Sequence, residues 1–334
     1  MISANKLYLF KHLFLIFIVI GLLSSNAHAN FYVVAGGGKK IGTEIKALPY
    51  TISQPGFYFI TKNLTCALGN HGIVVDTDNV TIDLMGFSLT GGGVSGGTTD
   101  GGIYMNNRTN VEIRNGTIRE FPNLGVYGLG NSSKGHRCFN LRILSNGNHG
   151  IYLAGYSHMV KGCTAINNSA DGLSVGEGST LTGNTCYENG GRGIEAFSGS
   201  TVILNTCRDN GSDGIYALAG STVTNNTCRL NGANGIRTSN NCFISGNTCR
   251  DNDVDGIRAS GGSSMISNTC CANGNDGIHA GSSSSIIGNT CKSNDAHGIR
   301  LYESSFVDQN LAYSNVLSNM SDCDFCTLGT NHAP

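Results

Sequence analysis

The sequence is poor in several residue types that build compact mixed cores and charged binding faces. Its 334 residues contain no Trp and four Pro, and 13% of them are charged, with a formal net charge of -1 at pH 7. A nucleic-acid partner normally requires a basic balance or a basic patch, so this composition argues against one. Gly, by contrast, occurs 48 times, which is typical of a chain with many tight corners.

Long apolar runs are also scarce. The prominent one, Leu13–Leu23, follows Lys6 and Lys11 and precedes an Ala-His-Ala site that ends just before Asn30. A helix of this length cannot cross about 30 Å of hydrocarbon, whereas the three features together are typical of a secretory signal peptide. The sequence therefore predicts a signal peptide over residues 1–29, export to the periplasm or beyond, and no transmembrane anchor in the mature chain.

An internal repeat organises most of the remaining sequence. From Gly172 to Ser318, seven units of 21 residues follow one another without insertion, and each begins with Gly followed by Ile or Leu. Within a unit, apolar or small residues recur at every second position in three short segments, which is the period of a strand that buries one face. Such units bury their inner faces only by stacking, so the pattern predicts an all-β parallel solenoid.

Looser units extend the repeat towards the N-terminus, with starts at Gly72, Gly102, Gly125 and Gly150. Counting all starts predicts about eleven coils over residues 72–318, an N-terminal cap over residues 30–71 and a C-terminal cap or tail over residues 319–334. Within the predicted cap, Ile41, Ile45 and Leu48 have helical spacing, which predicts a short helix over Lys39–Leu48 that covers the open end of the solenoid.

The repeat pattern, Asn-Gly-x-Asp-Gly-Ile followed by Gly-Ser-x-Val and then Asn-Thr, resembles that of right-handed parallel β-helix proteins. These belong to the pectate-lyase-like superfold, and the resemblance is to its NosD-like group of carbohydrate-binding and sugar-hydrolase repeats. It covers about residues 72–318 and is specific for architecture, because the shared residues are those that build the fold. It implies a right-handed coil and a polysaccharide or cell-surface glycan as partner. Related families include lyases that use Asp-bound Ca²⁺ and hydrolases that pair Asp residues across coils.

Thirteen Cys residues in an exported chain would ordinarily indicate a disulfide framework. Here the repeat aligns six of them in one inward column, and Cβ vectors that point in parallel into a core are poorly placed for bridging. We expect these Cys residues to fill the core as reduced thiols, with some bridging or a metal as alternatives. Cys323 and Cys326 lie outside the repeat, and a local disulfide or a capping contact is expected there.

The outward positions of the repeat are the candidates for ligand binding. The third residue of each unit defines a column on one sheet, here called the position-3 column: Tyr104, Tyr127, Tyr152, Ser174, Glu195, Tyr216, Arg237, Arg258, His279 and Arg300. The last residue of the units gives a neighbouring column: Asp171, Asp213, Asn234, Asp255, Asp276 and His297. The sixteenth residue gives another basic column on a different sheet: Tyr187, Arg208, Arg229, Arg250 and Lys292.

Two interpretations of these columns remain open. The charged columns could compensate each other on a solvated face, each exposed pair contributing less than about 1 kcal/mol. Alternatively, the position-3 column is a platform on which Tyr rings stack on sugars and Arg forks bind the carboxylates or sulfates of an acidic glycan. The predicted ligand-binding residues are then Tyr104, Tyr127, Tyr152, Tyr216, Arg237, Arg258 and Arg300.

An enzyme acting on an acidic glycan is the alternative to a non-catalytic binding or surface-structural protein. Asp255, Asp276, Arg258 and His279 are the candidate catalytic residues of a lyase, epimerase or hydrolase, because carboxylates can hold a cation or donate a proton and a base can take a proton. No metal or other cofactor is expected, apart from Ca²⁺ under the lyase alternative. Catalysis predicts that the loops at 91–101 and 128–138 fold over the segment from Tyr104 to Tyr152, whereas a platform predicts an open face. A purely mechanical or adhesive solenoid is a third class.

Overall fold

The computed structural model describes residues 42–94 and 100–334, which form a parallel β-solenoid. The predicted signal peptide and the first part of the predicted cap lie outside the described residues. The described residues contain no helix, and therefore none that is long and apolar enough to cross a membrane. The fold class predicted from the repeat is confirmed.

Each coil contributes strands to three ladders. The first ladder is a separate sheet of 13 strands, with the bounds Tyr50–Ile52, Ile73–Val75, Ile103–Asn106, Val126–Leu129, Ile151–Tyr156, Leu173–Glu177, Ile194–Ala196, Ile215–Ala217, Ile236–Thr238, Ile257–Ala259, Ile278–Ala280, His297–Arg300 and Ser318–Met320. It carries the position-3 column.

The other two ladders share one sheet of 24 strands, because Val111–Arg119 and Arg137–Leu144 are long enough to belong to both. The remaining strands of the second ladder are Thr43–Glu44, Gly56–Phe59, Val80–Asp83, Met159–Lys161, Thr180–Thr182, Thr201–Ile203, Thr222–Thr224, Phe243–Ser245, Ser264–Ile266, Ser285–Ile287, Phe306–Asp308 and Thr327–Leu328. Those of the third ladder are Leu64–Thr65, Ser88–Thr90, Thr164–Ile166, Thr185–Tyr187, Thr206–Arg208, Thr227–Arg229, Thr248–Arg250, Thr269–Cys271, Thr290–Lys292 and Leu311–Tyr313.

The solenoid has thirteen turns, two more than the eleven predicted. The additional turns lie at the ends, where Tyr50–Ile52 pairs with Ile73–Val75 and where Ser318 pairs with His297. Neither turn begins with Gly followed by an aliphatic residue, as the eleven predicted coils do. At roughly 4.8 Å between neighbouring strands, thirteen turns extend over about 60 Å.

The helix predicted over Lys39–Leu48 is wrong for the part of that segment that is described. Thr43–Glu44 is a strand that pairs with Gly56–Phe59, and the amide of Ile45 donates to the carbonyl of Phe59 at 2.8 Å. Ile45 is buried in the end of the solenoid core. Its spacing from Leu48 therefore reflects a short strand followed by a bend and not a helical face.

Stacked identical side chains fill the core. The register places Ile215 over Ile236 and Cys207 over Cys228, and all four side chains are fully buried. The described Cys residues outside the pair Cys323–Cys326 are unbonded thiols, and that pair forms a disulfide. The core is therefore held by packing and hydrogen bonds and not by a disulfide framework.

Candidate functional site

The position-3 column runs along the outer face of the first ladder. The register aligns each member with the next, from Tyr104 against Tyr127 to His279 against Arg300. Its neighbours in each strand point into the core, as Ile215 and Ala217 do on either side of Tyr216. Residues distant in sequence thus form a continuous row along one surface, and their role as ligand-binding residues stays a prediction.

The N-terminal part of the column is aromatic. Tyr104 and Tyr127 have ring centroids 5.4 Å apart at 64°, and Tyr127 and Tyr152 have centroids 6.3 Å apart at 65°. His71 stacks in parallel on Tyr104 at 4.3 Å. The rings pack edge to face, which suits their quadrupoles, and each remains partly exposed. This arrangement offers a rigid and partly apolar surface.

The centre of the column is engaged within the protein. The guanidinium carbons of Arg192 and Arg237 lie 4.7 Å and 5.2 Å from the ring centroid of Tyr216. Arg192 also forms an ion pair with Glu195, whose carboxylate accepts a hydrogen bond from Ser174 at 2.9 Å. Tyr216 is therefore less available for stacking on a ligand than the three N-terminal Tyr residues.

The C-terminal part of the column lies over buried carboxylates. Asp255 and Asp276 are both 0% exposed, so they do not belong to a solvated face as the charge-compensation interpretation requires. Oδ1 of Asp255 accepts hydrogen bonds from the amide of Asp276 at 3.0 Å and from Nδ2 of Asn275 at 2.6 Å. Oδ1 of Asp276 accepts from the amide of His297 at 3.1 Å. Each carboxylate thus bonds to the backbone of the following coil.

The second oxygens of these carboxylates face the column. Oδ2 of Asp276 lies 3.3 Å from Nδ1 of His279, and Oδ2 of Asp255 lies 3.7 Å from the same nitrogen. Nη1 of Arg258 lies 3.5 Å from Oδ2 of Asp255, and Nη1 of Arg300 lies 3.8 Å from Oδ2 of Asp276. The four candidate catalytic residues therefore meet in one cluster.

The pKa values of the two carboxylates shift in opposite directions. It raises the pKa of Asp255 above the ordinary value, although the amide of Asp276 and the side chain of Asn275 oppose it with hydrogen bonds. Burial also acts to raise the pKa of Asp276, but the contacts with His279 and His297 outweigh it, and this pKa lies below the ordinary value. Two Asp carboxylates one coil apart therefore bind protons with different affinities.

A cleft of about 370 Å³ lies beside Tyr152. Its lining includes Asn131 from the 128–138 loop, the aromatic side chains of Tyr156 and Phe197, and Glu177. The pairing between Leu173–Glu177 and the strand before it shifts register between Leu153 and Tyr156, and both of these residues line the cleft. The strict repeat gives no sign of this cleft, although two of the coils that line it, those that begin at Gly125 and Gly150, are longer than 21 residues.

The two loops contribute differently to this face. In the 128–138 loop, Asn131 reaches the cleft, whereas Lys134 forms isolated parallel bridges with Thr109 and with Tyr156. The loop therefore borders the first ladder beside Tyr152, and its backbone at Lys134 pairs with the coils before and after it. The central part of the 91–101 loop lies outside the described residues.

Comparison with known proteins identifies the family of the chain. The family described as right handed beta helix region matches residues 54–207 and 198–333. The chain belongs to this right-handed β-helix family. Among curated proteins, none matches the sequence significantly.

Solved structures with the same fold include modules named for polysaccharide chemistry. The A-module of mannuronan C-5 epimerase AlgE4 from Azotobacter vinelandii superposes with a TM-score of 0.68 at 13% identity, covering 82% of this chain and 91% of that module. The A-module of AlgE6 from the same organism gives 0.56 at 13% identity, covering 84% and 91%. The Agl-KA catalytic domain gives 0.55 at 13% identity, covering 82% of this chain and 62% of that chain. At these identities the likeness shows the shared fold alone.

Proposed function

We propose that this β-helix protein is an exported, non-catalytic binding protein whose ligand is an acidic polysaccharide lying along the first ladder. The observation that carries the proposal is the position-3 column, in which Tyr104, Tyr127 and Tyr152 lead to Arg237, Arg258 and Arg300. The N-terminal signal-peptide pattern of residues 1–29 supports export.

The chemistry of the column suits a linear glycan with carboxylate or sulfate groups. Aromatic rings offer apolar faces to sugar rings, and the guanidinium fork matches the geometry of a carboxylate. Side chains one coil apart are separated by about 4.8 Å, which is close to the length of one sugar unit. A polymer can therefore keep its register along several coils, so that weak contacts add up along one chain.

The buried aspartates support a binding role more than a catalytic one. One oxygen of Asp255 and one of Asp276 accept backbone hydrogen bonds from the next coil, and their other oxygens lie beside Arg258, His279 and Arg300, at 3.5, 3.3 and 3.8 Å. Carboxylates placed in this way orient the cationic groups that meet an anionic ligand. The mannuronan epimerase modules with the same fold, named for their action on a polysaccharide, add support for this ligand class.

The proposal is tested by titrating the purified protein with a uronic-acid polymer and with a neutral glucan of similar length, at low and at high salt. Arg258→Ala should weaken binding of the uronan, and the loss should shrink at high salt because screening weakens exposed charge pairs. Arg229→Ala is the matched control, since Arg229 occupies the basic column of the third ladder. Equal binding of both polymers, or equal effects of both variants, would contradict a carboxylate platform on the first ladder.

A second candidate function, an epimerase or lyase acting on a uronan, is favoured by the contact between Asp276 and His279. A carboxylate that holds an imidazole is a common arrangement for a general base, and Arg258 and Arg300 lie on either side of it in the column. Incubation with the uronan followed by proton NMR detects a changed C5 configuration, and ultraviolet absorbance detects an unsaturated product. Turnover that disappears in His279→Gln would replace the binding proposal with this one.

A further inference from the structure

The described residues contain one place where three potential metal ligands come together. One ligand atom from each of Asp255, Asp276 and His279 lies within 4.8 Å of the other two. The carboxylates are fully buried and His279 is 8% exposed. We infer that these three side chains form a binding site for a divalent transition-metal cation of the Zn²⁺ or Mn²⁺ type.

Two unsatisfied atoms point to a missing ligand. Oδ2 of Asp276 and Nδ1 of His279 are buried and have no hydrogen-bond partner, although they approach each other to 3.3 Å. Buried polar atoms are nearly always paired, and an unpaired one costs free energy. The first oxygens of Asp255 and Asp276 are used by the backbone of the next coil. That anchoring holds both second oxygens in fixed positions beside the imidazole.

The donor set, two carboxylates and an imidazole, fits a transition-metal cation better than Ca²⁺. Two ligands that each lie about 2.1 Å from a metal are at most about 4.2 Å apart, and Nδ1 of His279 lies 3.3 Å and 3.7 Å from the two oxygens. Imidazole nitrogen favours Zn²⁺ and similar ions, whereas Ca²⁺ takes six to eight oxygen ligands. Water or an incoming ligand would complete the coordination on the solvent side.

Two arginines compete with the cation for the same oxygens. Arg258 lies 3.5 Å from Oδ2 of Asp255 and Arg300 lies 3.8 Å from Oδ2 of Asp276, and their side chains are 47% and 42% exposed. Both contacts are long, and exposed arginines can turn towards solvent. A bound cation would release them from the carboxylates, so removal of either arginine should strengthen metal binding. This effect is opposite in sign to the one expected for glycan binding.

The test is a calorimetric titration of the full chain, freed of metal with a chelator, with Zn²⁺, Mn²⁺ and Ca²⁺ in separate experiments. We expect one equivalent of Zn²⁺ or Mn²⁺ and weaker or undetectable Ca²⁺. His279→Gln and Asp276→Asn should each weaken binding by more than the roughly 10- to 100-fold that loss of an outer-sphere partner costs. Arg300→Ala should bind more tightly than the parent.

Asp213→Asn is the matched control. Asp213 occupies the position of Asp255 two coils earlier, and its Oδ1 accepts a hydrogen bond from the backbone amide of Asn234 as that of Asp255 does from the amide of Asp276. The position-3 residue beside Asp213 is Tyr216, which offers no imidazole. Replacement of Asp213 should leave metal affinity unchanged. Melting curves without metal identify any variant that fails to fold, and His279→Gln alone decides the question if Asp276→Asn unfolds.

Three outcomes would overturn the inference: no binding of either transition metal, binding that survives His279→Gln, and binding lost equally in Asp213→Asn. The last two would place the metal elsewhere, for example on thiols. None of these experiments contains a glycan, so failure here leaves the proposed function standing. Failure of the glycan titration would likewise leave the metal site untouched.

Discussion

Asn231 donates its side-chain amide to Oδ1 of Asn252, one coil further along, at 2.9 Å. The same oxygen accepts a hydrogen bond from the backbone amide of Asn231 at 3.2 Å, and Nδ2 of Asn231 also donates to the carbonyl of Cys207. Each Asn side chain therefore bonds to backbone groups of the coil before it and to the Asn side chain of the coil after it. The stacked Asn side chains form an asparagine ladder along one corner of the solenoid. Because the side chain of Asn231 is completely buried, this asparagine ladder takes the place of water as the hydrogen-bond partner of the backbone there.

Replacing Asn231 with Leu should destabilise the protein by about 1–3 kcal/mol, because the partners of the lost amide stay buried without hydrogen bonds. Chemical unfolding of the variant and the parent measures the difference. Asn240→Leu is the control, since Asn240 lies in the same region of sequence at an exposed corner. An unchanged transition in Asn231→Leu would mean that the ladder contributes little to stability.

Two stacked imidazoles should make the protein sensitive to acid. The rings of His136 and His158 lie 5.0 Å apart and are buried. Burial lowers the pKa of His136 to about 3, with the neighbouring His158 adding to the effect, and burial lowers the pKa of His158 to about 4. In the unfolded chain both pKa values return to about 6.5, so below that pH the unfolded state binds more protons than the folded state.

The stability that depends on these histidines is complete above about pH 6.5 and is lost as the pH falls towards about 4. Each histidine contributes a slope of up to about 1.4 kcal/mol per pH unit in that window. Unfolding in urea at several pH values measures the slope. His158→Ser should flatten the slope, because it removes one of the two titrating imidazoles. A Ser fits this position, since the hydroxyls of Ser179 and Ser200 accept the equivalent backbone hydrogen bond in the following coils. His332→Gln, at an exposed position, should leave the slope unchanged, and equal slopes in all three proteins would contradict the assignment.

The regular part of the fold was predictable because nothing interrupts its period. Between Gly172 and Ser318 every unit has 21 residues, so residues such as Ile215 and Ile236 align by counting alone. The terminal turns were missed because Tyr50 and Ser318 lack the Gly-Ile start, although their backbones pair like the rest. Pairing of an edge strand depends on backbone groups, which leave no mark in the side-chain pattern.

The sequence predicted which residues of the candidate site align with one another, but it did not predict that the aspartates are buried. Counting aligned Asp255 with Asp276, yet their polar character suggested a solvated column. Asn234 at the same position was the available signal, because its Oδ1 accepts the amide of Asp255 as the ladder asparagines accept theirs. A carboxylate offers the same acceptor oxygen as an amide. The cleft beside Tyr152 lies where the strand register shifts, which counting cannot reveal.

The thiols of the core should be unreactive in the folded protein. Eleven Cys residues are unbonded, and all of them except Cys271 are buried. A thiol reagent should therefore detect about one group in native protein and eleven after denaturation without reductant. Cys271→Ser should abolish the native signal, whereas Cys270→Ser should not. Fewer than six thiols after denaturation would show that the column is oxidised.

The cleft beside Tyr152 should strengthen glycan binding through its aromatic side chains. Tyr152 lines it together with Phe197, which is 36% exposed. If each ring packs on a sugar, its removal should cost about 0.5–1.5 kcal/mol, comparable to an aromatic pair, or roughly two- to tenfold in Kd. Titration of Phe197→Ala and Tyr152→Ala with the uronan measures this. Because the ring of Tyr152 also packs on Tyr127, its variant needs a melting curve to separate lost stability from lost binding.

Phe243→Ala is the control for these variants, since Phe243 is similarly exposed but lies on the second ladder. Its affinity for the uronan should equal that of the parent at every salt concentration. The aromatic losses should also persist at high salt, because ring stacking does not depend on charge, whereas the loss in Arg258→Ala should shrink. This difference in salt dependence separates the two halves of the position-3 column. If Phe197→Ala and Phe243→Ala behave alike, the ligand does not reach Phe197 in the cleft.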